Sequence, residues 1–171
     1  MGKKIAVVLT KLFEDIEYTA PVKAYKEKGH EIENVGIKKG EVVEGKKKKE
    51  KVTIDKSVDE VSSKDYDALL IPGGFSPDIL RSNDNAVNFA KGFMNEKKPV
   101  FVICHGPQLL INSHSLKGKK ATGVKSIKID MINAGADFYD KEVVVDDNLV
   151  SSRTPKDMEA FIRESVKLLE K

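Results

Sequence analysis

The stretch Val100-Phe101-Val102-Ile103-Cys104-His105-Gly106-Pro107 decides how this chain folds. Its apolar run is typical of a buried strand in a parallel sheet, and the run ends at the cysteine. Helix-compatible sequence follows directly, and Pro107 suits the first turn of a helix. Cys104 is therefore predicted at a sharp strand-to-helix turn. Such a nucleophile elbow lifts a side chain out of the core and exposes it to a substrate.

Cys104 is also the only cysteine among the 171 residues. Most unpaired cysteines are buried and behave as small hydrophobic side chains, so packing is the alternative role. The neighbours favour chemistry, because Gly106 permits a tight turn and His105 is costly to bury without a role. We therefore interpret Cys104 as a candidate nucleophile.

Outward from this turn, apolar β-branched runs alternate with helix-period segments. The alternation predicts an α/β fold with a doubly wound, mostly parallel sheet and helices on both faces. The predicted strands are residues 5–9, 31–35, 68–71, 100–103, 143–145 and 149–151, and the predicted helices are 16–28, 85–96, 108–113, 126–133 and one capped by Thr154. The continuously apolar runs 5–9, 68–71, 100–103 and 143–145 are expected to be central strands. Residues 42–43 and 52–54 predict a small β-hairpin insertion.

The composition describes an ordinary globular chain, with 40% hydrophobic and 33% charged residues, and the length fits one domain over 1–171. The net charge of +3 comes partly from the lysine-rich run 46–51, which we interpret as a solvated loop. No aromatic residues are interleaved there to stack on bases, so we expect no nucleic-acid partner. The absence of an export signal, of a membrane-length apolar run and of any possible intrachain disulfide predicts a cytoplasmic protein that does not contact membranes.

Cofactor and metal motifs are missing from the sequence. Residues 40–46 resemble a P-loop, but Lys47 stands where a magnesium-binding Ser or Thr is required. The chain has neither a dinucleotide fingerprint nor a Cys or His cluster with zinc-ligand spacing. We therefore expect no cofactor and no metal.

Three polar segments follow predicted strands and should meet at one edge of the sheet, where ligands bind in such folds. They contain Glu17, the pair Gly73-Gly74, and Cys104-His105-Gly106. Glu17 could share a proton with Cys104, or it could be a surface carboxylate at a helix start. The glycines could offer backbone N–H groups to an oxyanion, or they could form a flexible turn.

Together these segments resemble the PfpI-like family of intracellular cysteine peptidases, general stress proteins and deglycases, which is related to the human Parkinson-disease protein. The resemblance covers nearly the whole chain and rests on residues 14–17, 71–75, 103–108, 132–136 and 150–155. It implies a flavodoxin-like sandwich with Cys104 as the nucleophile and Glu17 as its hydrogen-bonded carboxylate. It also implies that Gly74 and His105 lie near the oxyanion site, and that the protein is a homodimer or a higher homo-oligomer.

In the peptidase members an acidic residue lent by a neighbouring subunit orients the histidine. The matching residue here is Asp78, one methylene shorter than the family's glutamate, so a peptidase triad depends on whether Asp78 reaches His105. The favoured function is therefore a stress-response enzyme that attacks reactive carbonyls, of the deglycase or glyoxalase type. A PfpI-type peptidase and a redox sensor or stress chaperone that uses Cys104 oxidation are the alternatives. The substrates would be small carbonyl compounds or modified proteins and peptides.

Helix N-terminal N–H groups and a hydrogen bond from protonated Glu17 would both favour the thiolate of Cys104. The sequence therefore predicts a thiol pKa below the usual value of about 8.5. Glutamine amidotransferases take their catalytic histidine from far downstream of the cysteine. No histidine follows His114 in this chain, so that function is excluded.

Overall fold

The computed structural model describes residues 2–171. A sheet of seven strands forms its centre, in the order β10-β11-β7-β6-β1-β2-β5. Its neighbouring strands are parallel except for β10 and β11. The strands are β1 (Lys4–Val8), β2 (Glu31–Gly36), β3 (Val42–Glu44), β4 (Lys51–Thr53), β5 (Lys56–Ser57), β6 (Ala68–Ile71), β7 (Val100–Ile103), β8 (Lys120–Ala121), β9 (Asp137–Phe138), β10 (Val144–Asp146) and β11 (Leu149–Ser152).

Helices cover both faces of the sheet. They are α1 (Asp15–Glu27), α2 (Ser76–Leu80), α3 (Asp84–Asn95), α4 (Pro107–Asn112), α5 (Lys128–Asn133) and α6 (Met158–Leu169). Because side chains alternate along each strand, the sheet contributes to two apolar cores. One core contains Ala6 and Val8 of β1 with residues of α3 and α4. The other contains Ile5 and Val7 with residues of α1 and α6. The flavodoxin-like sandwich is thus confirmed, and so is the β3–β4 hairpin, whose strands pair antiparallel.

One predicted strand was placed wrongly. The run 143–145 was expected in the centre of the sheet, but β10 is an antiparallel edge strand in which Val145 is 45% exposed. The turn that reverses the chain after β10 is too short for a crossover helix, so an antiparallel neighbour is the only available pairing. Its neighbour β11 is an interior strand and is buried along its whole length.

The last helix also differs from its prediction. Residues Pro155–Asp157 form a 3-10 turn that leads into α6, and the Thr154 side chain makes no capping hydrogen bond within the described chain. The short elements α2, β5, β8 and β9 were not predicted, because each is too short to show a period in sequence.

Candidate active site

The chain turns sharply at Cys104, as the sequence predicts. Cys104 directly follows β7, has a φ of 63°, and donates its N–H to the carbonyl of Ser152 at 3.0 Å. A non-glycine residue in this left-handed region is strained and is held there only by its surroundings. The N–H of Gly106 then bonds the carbonyl of Ile103 at 2.9 Å, and α4 begins at Pro107. The elbow leaves the cysteine half-buried at the carboxyl edge of the sheet.

Glu17 lies in the first turn of α1 with no exposed surface. Its Oε1 accepts the N–H of Gly73 at 2.8 Å. Its Oε2 is buried and has no nitrogen or oxygen partner among residues 2–171, and the neighbouring Cys104 thiol is only a weak donor to the carboxyl group. Burial raises the pKa of Glu17 to about 8, and the nearby charge of Glu14 acts in the same direction. Glu17 therefore carries a proton near neutral pH.

The pKa of the Cys104 thiol is shifted in the direction opposite to the prediction. Burial, and next the negative charge of an ionised Glu17, raise the pKa of Cys104 to about 12. The backbone N–H groups of Gly74 and His105 favour the thiolate but do not offset burial. The α4 helix, which was expected to favour the thiolate, has only 6 residues. Ionisation of either group makes ionisation of its neighbour less favourable, so Cys104 and Glu17 titrate as a coupled pair.

His105 does face its neighbour. Its Nδ1 lies 3.4 Å from the sulfur of Cys104, and its Nε2 lies 3.3 Å from the hydroxyl of Ser126. Burial and then the charge of Lys46 lower the pKa of His105, so its ring is neutral near pH 7. Ser126 was not a sequence candidate, because no local motif distinguishes it from other loop serines.

Asp78 is exposed on α2. Its charge favours protonated His105, yet the two side chains form no ion pair within the described chain. A single chain therefore does not assemble a Cys-His-acid triad from the predicted residues.

The three predicted oxyanion glycines have different roles. The N–H groups of Gly73 and Gly106 are already bonded, to Glu17 and to Ile103. Of these three, only Gly74, with a φ of 78°, directs its N–H toward the sulfur. Gly73 instead provides space, because a Cβ there would lie 2.5 Å from Oε1 of Glu17 and 2.8 Å from Cβ of Cys104.

The lysine-rich turn between β3 and β4 is exposed, as expected for a solvated loop, but Lys46 also reaches the site. Lys46 pairs with the buried carboxylate of Glu14 at 2.9 Å and lies 5.7 Å from the centre of the Phe75 ring. Its charge lowers the pKa values of Cys104 and Glu17.

Asp15 holds this turn in place. Its carboxylate accepts the backbone N–H groups of Lys47, Lys49 and Glu50 at 2.9, 3.1 and 2.9 Å. These bonds lower the pKa of Asp15 although burial acts in the opposite direction. These bonds hold the backbone of the turn, and Lys46 lies close enough to Cys104 for its charge to lower the pKa of the thiol.

Residues 2–171 contain no group of three His, Cys, Asp or Glu side chains arranged to hold a metal ion. In the same part of the chain, no helix combines the length and the apolar character needed to cross a bilayer.

The site and its sandwich define an α/β protein with a cysteine at a nucleophile elbow and a buried carboxyl group beside it. Residues 3–168 match the model of the DJ-1/PfpI family, and the chain belongs to that family. It is 64% identical to General stress protein 18 of Bacillus subtilis, over 100% of both chains. It is 59% identical to a second B. subtilis protein, named "Putative cysteine protease YraA", over 99% of both.

An Escherichia coli relative, Protein/nucleic acid deglycase 2, is 55% identical over 99% of both chains. Among solved structures, a two-domain protein of Anabaena variabilis with a DJ-1/ThiJ/PfpI-like domain superposes with a TM-score of 0.96 at 39% identity. That match covers 98% of this chain and 48% of the Anabaena chain. Members named as enzymes thus share the full length of this chain, and their names differ in the reaction.

Proposed function

We propose that the protein is a cysteine enzyme that attacks reactive aldehydes and their early adducts on proteins, a deglycase or glyoxalase type of activity. One observation carries the proposal: the thiol of Cys104 lies beside a buried, protonatable Glu17, while His105 forms no ion pair with an acid among residues 2–171. Such a site can exchange a proton between sulfur and carboxyl group. Its histidine has no carboxylate partner within the described chain to stabilise the imidazolium form, which disfavours amide hydrolysis.

The first step uses only groups of the site and the aldehyde itself. In the fraction of molecules in which Glu17 is ionised, its carboxylate takes the proton of the thiol, and the sulfur forms a bond to the aldehyde carbon. The electron pair of the carbonyl bond moves to oxygen, which the N–H of Gly74 is placed to stabilise and which Glu17 then protonates. The product is a hemithioacetal on Cys104.

For a 2-oxoaldehyde, moving a proton from C1 to C2 and the hydroxyl proton from the C1 oxygen to the C2 oxygen converts this adduct into a 2-hydroxy thioester. Water then releases a 2-hydroxy acid and the thiol. The 2-hydroxy acid contains the atoms of the aldehyde plus one water molecule, so the reaction consumes no oxidant or reductant.

The test compares wild type with Cys104→Ala and Glu17→Gln. We expect methylglyoxal loss and lactate formation to disappear in Cys104→Ala and to fall by about a hundredfold in Glu17→Gln, the scale of general acid–base catalysis. Thermal denaturation of each variant checks that it folds. Unchanged turnover in folded Cys104→Ala would overturn the proposal.

A PfpI-type peptidase is the second candidate, supported by the 3.4 Å contact between His105 and the sulfur and by the name of the YraA relative. Hydrolysis of a fluorogenic peptide by wild type, absent in Cys104→Ala, would favour it. A redox sensor or stress chaperone would instead show only peroxide sensitivity at Cys104.

Several expectations about partners and location stay predictions. The name of the E. coli relative includes nucleic acid, so glycated nucleotides belong beside glycated peptides in the substrate test, although the sequence predicts no nucleic-acid partner. A cytoplasmic location and assembly into a homodimer or a higher homo-oligomer also remain to be measured.

A further inference from the structure

A cationic cleft lies beside the thiol site and takes no part in the mechanism above. Its volume is about 420 Å³, which is within the range of small-ligand pockets. It is lined by Gly123, Lys125, Lys128, Phe138, Asp140, Arg153, Thr154, Lys156 and Asp157. We define these residues as the lysine cleft.

Both carboxylates of the lysine cleft are paired with Arg153. Arg153 donates from Nε and Nη2 to Asp157 at 2.9 and 3.0 Å, and from Nη1 to Asp140 at 2.9 Å. Arg153 keeps the pKa of Asp157 low against the effect of burial, so that carboxylate stays ionised. Four cations against two carboxylates leave the cleft with a formal charge of +2.

The remaining side-chain donors of the lysine cleft are three lysines and Thr154. Lys125, Lys128 and Lys156 are exposed, and none of them forms an ion pair within residues 2–171. Lys128 lies 5.7 Å from the centre of the Phe138 ring, a cation–π contact that orients its ammonium group. The hydroxyl of Thr154 does not cap the helix that follows it.

The lysine cleft and the thiol site share a backbone segment. The N–H of Val124 bonds the carbonyl of Cys104 at 3.0 Å, and Ser126 contacts His105. Gly123 is packed so closely that a Cβ there would lie 2.9 Å from the sulfur of Met131. A ligand held by Lys125 is therefore next to the loop that supports His105.

We propose that the lysine cleft binds the phosphate group of a phosphate monoester. A phosphate monoester carries close to two negative charges at neutral pH, which matches the formal charge of the cleft, whereas a carboxylate carries one. Lysine ammonium groups and a hydroxyl are suitable donors to phosphate oxygens. The site is separate from Cys104, so binding does not depend on the proposed reaction.

The test is calorimetric titration at fixed ionic strength with glycerol 3-phosphate, with glycerol as the uncharged analogue and adenosine monophosphate as a nucleotide source of the same group. Two triple variants carry equal charge changes. One replaces Lys125, Lys128 and Lys156 with glutamine, and the matched control replaces the exposed Lys38, Lys39 and Lys91.

We expect saturable binding of glycerol 3-phosphate and none of glycerol. Affinity should fall by about tenfold or more in the cleft triple and change by less than about twofold in the control. Cys104→Ala should bind as wild type does. Tighter binding of adenosine monophosphate than of glycerol 3-phosphate would assign the phosphate to a nucleotide. No saturable binding, or an equal loss in both triples, would overturn the proposal.

Discussion

Glu17 accepts a 2.8 Å hydrogen bond from the backbone N–H of Gly73, and this bond fixes the carboxyl group beside Cys104. Burial raises the pKa of Glu17 from 4.5 to about 8. The folded chain therefore binds more protons than the unfolded chain across this window. Its free energy of unfolding falls as the pH rises through the window, by about 1.4 kcal/mol per pH unit at most.

Glu17→Gln should remove this pH dependence, because glutamine is uncharged and its side-chain oxygen can accept the same N–H. Between about pH 5 and about pH 7, wild type should lose about 2 to 3 kcal/mol of stability relative to the variant. Urea denaturation of both proteins across this range measures the difference. Parallel stability curves would mean that Glu17 is ionised in the folded state at neutral pH.

Lys46→Met should raise the pH at which Cys104 becomes reactive. The Lys46 charge favours ionisation of both Cys104 and Glu17, and methionine keeps much of the apolar stem without the charge. The rate of iodoacetamide alkylation against pH should shift upward by about half a unit to one unit, the size of a nearby-charge effect.

Lys47→Met is the matched control for Lys46→Met. Lys47 also pairs with Glu14, at 3.1 Å, but its side chain is 57% exposed. Its charge is not among those that shift the pKa of Cys104. We expect no shift for this variant. Equal shifts in both variants would show a general effect of surface charge instead of a contact specific to Lys46.

Peroxide should oxidise Cys104 to the sulfinic acid. No second cysteine exists in the chain to trap a sulfenic acid as a disulfide, and the sulfur is half-buried. Intact-mass spectrometry should show a gain of two oxygens in wild type and none in Cys104→Ala. The thiolate is the reactive form, so oxidation should accelerate as the pH rises above neutral. A disulfide-linked dimer as the main product would contradict the recessed position of the sulfur.

The sequence predicts the parts of this protein that local patterns encode. Central strands such as β1, β6 and β7 are long enough apolar runs to be recognised, and the elbow is marked by consecutive residues. The 143–145 run shows the limit of this signal. An apolar strand at a sheet edge and one at its centre look alike in sequence, because strand order depends on contacts between distant segments.

The same limit applies to the site. Asp15 and Ser126 act through contacts with residues about 20 or more positions away, and no spacing rule relates such pairs. The pKa of Cys104 depends on a balance between burial and hydrogen bonds that only a folded structure determines. Residue identity therefore predicts the candidate nucleophile, whereas its protonation state depends on the packing around it.

Asp78 should matter for peptide hydrolysis but not for aldehyde turnover. Within residues 2–171 it forms no ion pair with His105, and it is exposed, so replacing it should change stability by less than about 0.5 kcal/mol. Amide hydrolysis needs an oriented base and an acid for the leaving amine, whereas addition of a thiol to an aldehyde expels no amine. Asp78→Ala should therefore leave methylglyoxal turnover within about twofold of wild type.

Asp78→Glu is the complementary variant, because it restores the longer acidic side chain that the family resemblance implies for peptidase members. We expect it to raise hydrolysis of a fluorogenic peptide by about tenfold, within the range of general-base catalysis. Size-exclusion chromatography of both variants checks that assembly is unchanged. If Asp78→Ala abolishes both activities while assembly is preserved, the carboxylate of Asp78 already reaches the histidine of a neighbouring subunit. The protein would then be better described as a peptidase.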